Sequence, residues 1–206
     1  MNALDVCHKM IAVAADDPVV ASLGHPAYDL FAAGDRAANF YTWGSMGLAS
    51  SIGLGLAIAQ PSRRVFVLDG DGSLLMNLGS LATIGWTRPA NLVLLVLDNQ
   101  RYATTGGQQT ATAHGTDLEA AARAMGIAET ATVDSVPGLE ATLSQVTLRP
   151  GPWVIVCNVE DSTPHARPPL DCVFIKQRFM SAIGCGEPAT SGTVAGGAAV
   201  QKTGRE

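Results

Sequence analysis

Three short stretches, VFVLDG (65–70), NLVLLVLDN (91–99) and PWVIVCNV (152–159), are continuously apolar and β-branched rather than alternating with polar residues. That is the pattern of strands covered on both faces in a parallel sheet. Between the first two, MNLGSLATIGW (76–86) sets apolar residues at 78, 81, 84 and 85 or 86, a helical period closed by Arg88-Pro89. The three segments together predict a β-α-β unit. Further helices are predicted at about 3–15, at 117–125 with Thr116 or Asp117 as cap and Gly126 beyond its end, around 137–147, and at CVFIKQRFMSAI (172–183). VVASLG (19–24) reads as another short strand, and GLASSIGLGLAIAQ (47–60) as a buried helix. Alternating strands and helices predict an α/β fold, a doubly wound, mostly parallel sheet with helices on both faces.

Two segments fit neither period. NQRYATTGGQQTATAHGT (99–116) reads as a long loop, and loops of that length inside a compact domain are usually functional. DSTPHARPPLD (161–171) reads as a proline-rich connector. The small, polar, Gly-rich run from 186 to 206 cannot offset its ordering entropy and is expected to be a disordered tail, leaving one domain over 1–185.

Composition narrows the function. A formal charge of −5 and a pI near 5.3 leave no basic stripe for a nucleic-acid backbone. The 47–60 run, broken by serines and glycines, falls short of the ~20 residues a bilayer span needs. Asp5, His8 and Lys9 interrupt the first turns, so no secretory signal is read, and the expected location is the cytoplasm. Cys7, Cys157, Cys172 and Cys185 show no C-x-x-C pair or metal spacing and read as reduced thiols, mostly core fillers.

The chemistry concentrates at LDGDGSLLMNLGS (68–80). Asp71 and Asn99 each follow a predicted strand, and one crossover helix joins those strands, so both side chains reach the same sheet edge although 28 positions separate them. A carboxylate and an amide oxygen suit Mg²⁺, which commonly keeps phosphate oxygens among its ligands. The cation would sit between Asp71 and a diphosphate, while the backbone N–H groups of Gly72 and Ser73, just after Gly70, face the anion. The dinucleotide fingerprint and the P-loop both fail, because no further glycine follows at the required offset and no G-x-x-x-x-G-K-[ST] occurs.

These residues resemble the signature of thiamine diphosphate enzymes: GDG, a stretch of just under thirty residues, then N or NN. Here it reads GDGSLLMNLGSLATIGWTRPANLVLLVLDN. The resemblance implies thiamine diphosphate and Mg²⁺ as cofactors, with Asp71, Asn99 and the backbone carbonyl of Arg101 on the metal and Tyr102 beside them. GSMGLASSIGLGLA (44–57) is similar to the segment in which an apolar residue, here Met46, wedges between the cofactor's rings. The carbonyl of Gly44 would then accept from the 4′-amino group, next to Ser45. SLGHPAYDLF resembles the turn that completes the diphosphate site, which brings in Gly24 and His25.

More narrowly, the run from NFYTWGSMGLASS to SLATI, then LDNQRYATTGGQQT and PPLDCVFIKQRFM, resembles sulfopyruvate and phosphonopyruvate decarboxylases over about 19–183. Relatives commonly carry a small residue after the metal Asn, where this chain has Gln100 and Arg101. The resemblance implies loss of CO₂ from a three-carbon 2-oxo acid to give an aldehyde, with the cofactor as electron sink. Full-length relatives also have a second domain that supplies a glutamate to the aminopyrimidine, and no region here is long enough for it. The chain therefore looks like a β-type subunit, inactive until a pyrimidine-domain (α-type) partner completes it in an α₂β₂ or larger assembly. Candidate donors for the substrate's anionic group are Arg101, Thr104, Thr105, Gln108, His114, His165 and Arg167. Phosphonopyruvate as substrate, a carboligase of the acetolactate synthase type and a non-catalytic binding module are the alternatives.

Overall fold

The computed structural model describes residues 1–160 and 166–185. The predicted tail, 186–206, and His165 lie outside the described residues. The chain runs α1 (Ala3–Ala14), β1 (Val19–Ala21), α2 (His25–Ala33), β2 (Asn39–Tyr41), α3 (Ala49–Ala59), β3 (Val65–Gly70), α4 (Asp71–Met76), α5 (Ser80–Thr87) and β4 (Leu92–Asp98). It continues through a hairpin of β5 (Arg101–Tyr102) and β6 (Gln108–Gln109), a 3₁₀ turn at Ala111–His114, α6 (Leu118–Ala124), β7 (Glu129–Val133), α7 (Val136–Leu148), β8 (Trp153–Asn158) and α8 (Cys172–Ala182).

Six strands form one sheet in the order β2-β1-β3-β4-β8-β7, and every neighbouring pair is parallel. The continuous apolar runs became its central strands, and alternate residues feed opposite layers. Phe66, Leu68, Val93 and Leu95 pack with Met10, Leu30 and Leu139 of α1, α2 and α7. Val65, Val67, Leu92 and Leu94 pack with Leu54, Leu81, Ile84 and Leu118 of α3, α5 and α6. α8 lies against β2, where the Phe40 and Phe179 rings stand 5.3 Å apart and Arg178 pairs with Asp35. Cys7 and Cys157 fill the core, whereas Cys172 and Cys185 are exposed, so the core-filler expectation holds for two of the four.

Several elements differ from the sequence reading. The single helix expected over 76–86 is two: α4 starts at Asp71 itself, and the chain re-enters a helix at Ser80 after a turn at 77–79. The strand read as 19–24 ends at Ala21, and residues 22–24 turn into α2, which starts at His25 with Pro26 in its first turn. β2, β7 and α2 carried no signal in the reading. β2 is three residues long, and β7 (ETATV) is an edge strand with partly exposed polar positions rather than a continuous apolar run.

The strand order creates the site. From β1 the chain steps outward to β2, returns past β1 to β3, and then proceeds to β4. The turn after β1 and the turn after β3 therefore diverge, leaving a crevice at the carboxyl edge of the sheet, where ligands of open α/β sheets bind.

Candidate functional site

Asp71 opens α4 at the top of β3 and is only 2% exposed. Its Oδ2 accepts from Thr110 Oγ1 at 2.5 Å, and the Thr112 hydroxyl lies 3.2 Å away. Thr112 Oγ1 also lies 2.8 Å from Oδ1 of Asp98, a second buried carboxylate, on the neighbouring strand. Burial raises the Asp71 pKa to about 6, and the charge of Asp98 adds to the shift against the opposing hydrogen bonds from Thr110, Gly72 and Thr112. The sign follows directly. A carboxyl that ionises at about 6 in the folded chain and at 3.8 ordinarily destabilises the fold as pH rises between those values. In metal-free protein, stability is predicted to fall across pH 4–6 by at most about 3 kcal/mol from this group. Thermal melts of wild type against Asp71→Asn, which lacks the ionisation, check this; parallel pH profiles would contradict it.

Asn99 follows β4 in a tight turn. Its Oδ1 accepts from Arg101 N at 3.1 Å, Asp98 Oδ1 accepts from Gln100 N at 3.0 Å, and Gln100 takes the left-handed φ of 61°. The carboxylate of Asp71, the amide oxygen of Asn99 and the carbonyl of Arg101 are all hard oxygen donors. A buried acid held beside a second acid is a place where a divalent cation relieves repulsion, so these residues fit Mg²⁺. No group of three or more His, Cys, Asp or Glu residues at ligand spacing occurs among the described residues, so a cation here draws on amide and backbone oxygens as well.

A cavity open to solvent runs along this edge. Of the residues singled out from sequence, His25, Met46, Gly70, Asp71, Gly72, Ser73, Asn99, Arg101, Tyr102, Thr104 and Thr105 line it. Met46 is half-buried on a turn flanked by left-handed Ser45 (φ 63°) and Gly47 (φ 87°). Gly44 and Ser45 face an adjoining cavity shared with Trp43, Ile52 and Cys172. Gln108, on β6, and His114, at the end of the 3₁₀ turn, are exposed and line neither cavity. Arg167 stacks over Tyr28, 5.0 Å from its ring centre, and that ring neighbours His25 and Trp43.

The hairpin is the roof of the cavity, and two glycines seat it. A Cβ on residue 24 would come within 2.6 Å of Thr104 Oγ1, and one on residue 72 would collide with the Tyr102 ring and approach Thr110 Cγ2 at 3.2 Å. Sequence reasoning missed Thr110 and Thr112, whose alternate spacing in TAT was the available signal, and also Pro26, Asp29 and Glu160, which line the cavity without any motif. Glu160 accepts from the N-terminal ammonium of Met1 at 3.3 Å at the cavity rim. Among the described residues no helix is long and apolar enough to cross a membrane.

Comparisons with known proteins identify the family. The chain is 40% identical to sulfopyruvate decarboxylase subunit beta of Methanocaldococcus jannaschii, over 87% of this chain and 96% of that one. It is 48% identical to the subunit of the same description from Methanothermobacter thermautotrophicus, over 61% and 67% of the two chains. It is also 38% identical to phosphonopyruvate decarboxylase of Streptomyces viridochromogenes, over 81% of this chain but 42% of that one. A solved structure from Mycobacterium smegmatis, described as a thiamin diphosphate-dependent enzyme, superposes with a TM-score of 0.68 at 28% identity, over 79% of this chain and 32% of that one. Residues 25–157 match the family described as thiamine pyrophosphate enzyme, C-terminal TPP binding domain. With the GDG turn on one strand and Asn99 on the next converging at a single cavity, the chain belongs to the thiamine diphosphate enzymes, as their C-terminal cofactor-binding domain.

Proposed function

We propose that this chain is the diphosphate- and Mg²⁺-binding, β-type subunit of a cytoplasmic decarboxylase that converts sulfopyruvate to sulfoacetaldehyde and CO₂. One observation carries the split-enzyme reading. The chain spans 96% of a relative named as a beta subunit and 42% of a relative not named as a subunit, which supports a subunit that works with a partner chain. That partner is a pyrimidine-domain subunit contributing a glutamate to the aminopyrimidine, in an α₂β₂ or larger assembly.

In this reading Asp71, Asn99 and the Arg101 carbonyl hold Mg²⁺, and the N–H groups of Gly72 and Ser73 face the diphosphate. Met46 supports the bent cofactor, and the Gly44 carbonyl takes its amino group. Bound thiamine diphosphate supplies the electron sink for loss of CO₂. Arg101 is the only Lys or Arg among the described residues lining the cavity, and Thr104, Thr105 and His25 add neutral or titratable donors. One permanent cation with hydroxyl donors matches a sulfonate monoanion better than a phosphonate dianion, which favours sulfopyruvate. The likeness to phosphonopyruvate decarboxylases keeps that substrate as the second reading.

The test is CO₂ release from each 2-oxo acid with thiamine diphosphate and Mg²⁺, by this chain alone and after co-expression with the pyrimidine-domain subunit. Turnover of sulfopyruvate by the co-expressed sample only is the expected result. Turnover by the chain alone would overturn partner dependence and direct attention to Glu160. A higher kcat/KM for phosphonopyruvate would reverse the substrate order.

A further inference from the structure

Three turns that are distant in sequence meet beneath the cofactor cavity: Ser22 after β1, Gly47 before α3, and Ser73 in α4. Ser73 Oγ accepts from Gly47 N at 2.9 Å and stands 3.0 Å from Ser22 Oγ, in a buried contact between residues 51 positions apart. Gly47 directly follows Met46, and Ser73 directly follows Gly72. This hydroxyl pair is therefore the polar link between the residue that supports the cofactor's rings and the turn that faces its diphosphate.

A hydroxyl that accepts must also place its own proton. With Gly47 N–H on Ser73, the two serines hold two protons, and only one can lie between them, so the other needs an outside acceptor. Asp69, fully buried one residue before the GDG turn's first glycine, offers a carboxylate oxygen for it. Its Oδ1 takes Gly70 N at 3.0 Å, whereas the buried Oδ2 has no partner in hydrogen-bond geometry. Both serine hydroxyls stand close enough to act on this carboxyl. Turning the Ser22 O–H toward Oδ2 completes a chain from Gly47 N–H through Ser73 and Ser22 to Asp69, which removes an unsatisfied buried acceptor.

We infer that Asp69 and Ser22, neither of which lines the cavity, are positioning residues that set Met46 relative to the Asp71–Gly72–Ser73 turn through this buried relay. The inference rests on the cofactor site proposed above. Ser45 and Gly47 flank Met46 with left-handed φ values, and the segment is tied down through Gly47 N to Ser73 Oγ and Leu48 N to Ser45 O. Supports behind a binding site that lock its geometry commonly change function without contacting the ligand.

Asp69→Asn puts an amide where the relay needs a pure acceptor, and Ser22→Ala removes one hydroxyl. In the co-expressed complex, thiamine diphosphate affinity with Mg²⁺ is measured by calorimetry, the bound cofactor's near-ultraviolet circular dichroism is recorded, and the cofactor-free Tm is followed. The expected result for both variants is affinity within about threefold of wild type, because the diphosphate grip is intact. The dichroism of the bound cofactor is expected to change and kcat to fall about tenfold or more with little change in KM. Ser22→Ala adds no new group and keeps the test decisive should Asp69→Asn fold poorly. Unchanged dichroism in Ser22→Ala, with wild type binding the cofactor, overturns the inference alone, as does a lowered Tm without a dichroic change. No thiamine diphosphate binding by the wild-type complex overturns the cofactor-site reading and the inference with it.

Discussion

Replacing Asp71 with alanine is expected to weaken Mg²⁺-dependent thiamine diphosphate binding more than ~100-fold, beyond what loss of an outer-shell partner usually costs a metal site. The fold should survive. Asp71 is a buried carboxylate whose pKa is pushed up to about 6, so its removal also removes a group that costs stability when ionised without a cation. Against that gain stand the Thr110 and Thr112 hydroxyls, which lose an acceptor but retain each other at 2.8 Å, while Thr112 retains Asp98. The cofactor-free melting temperature of Asp71→Ala at neutral pH is therefore expected to match or exceed that of wild type, while calorimetric titration with cofactor and Mg²⁺ shows little heat. Normal Mg²⁺-dependent affinity in this variant would sink the metal assignment. A collapse of the metal-free fold would instead mean that Asp71 is structural.

The second large effect belongs to Gly72. Alanine there has no room, because its methyl would meet the Tyr102 ring on one side and Thr110 Cγ2 on the other. The hairpin has to lift, and it carries the Arg101 carbonyl as well as Thr104, seated on Gly24. Overpacking of this kind costs ~1–3 kcal/mol, which converts to roughly 5–150-fold in cofactor affinity if it falls on the bound state. The double variant Gly72→Ala/Tyr102→Ala tests the cause. Removing the ring should recover most of the lost affinity, giving a coupling energy of opposite sign to the single-variant losses. If the double variant binds no better than Gly72→Ala, the loss arises in the backbone of the GDG turn and the hairpin seat plays no part.

Much of this was legible before any coordinates. The runs at 65–70, 91–99 and 152–159 announced central strands because a strand covered on both faces has no polar positions to spare. The helices at 3–14, 118–124 and 136–148 followed from apolar period and caps, with Asp117 accepting from Ala120 N as its position suggested. Asp71 and Asn99 could be paired because both ends of one crossover unit must reach the same sheet edge. Resemblance supplied Met46, Gly44 and the partner subunit, which neither pattern nor spacing could have named.

The class of fold, the central strands and the two side chains proposed to open the site are all written in local periodicity or in one short connection. The remaining features depend on how the whole chain packs. The order β2-β1-β3 places the crevice between the turns of β1 and β3, and no local pattern encodes which side of a strand its successor takes. Short edge strands such as β2 and β7 acquire their form from the neighbour they pair with, not from their own residues. Thr110 meets Asp71 across 39 positions and Ser22 meets Ser73 across 51, because buried polar atoms seek whatever partner the packed chain brings within reach. Such contacts depend on the arrangement of the whole chain, and for that reason the residues that tune this site, unlike those that open it, carry no signature in the sequence.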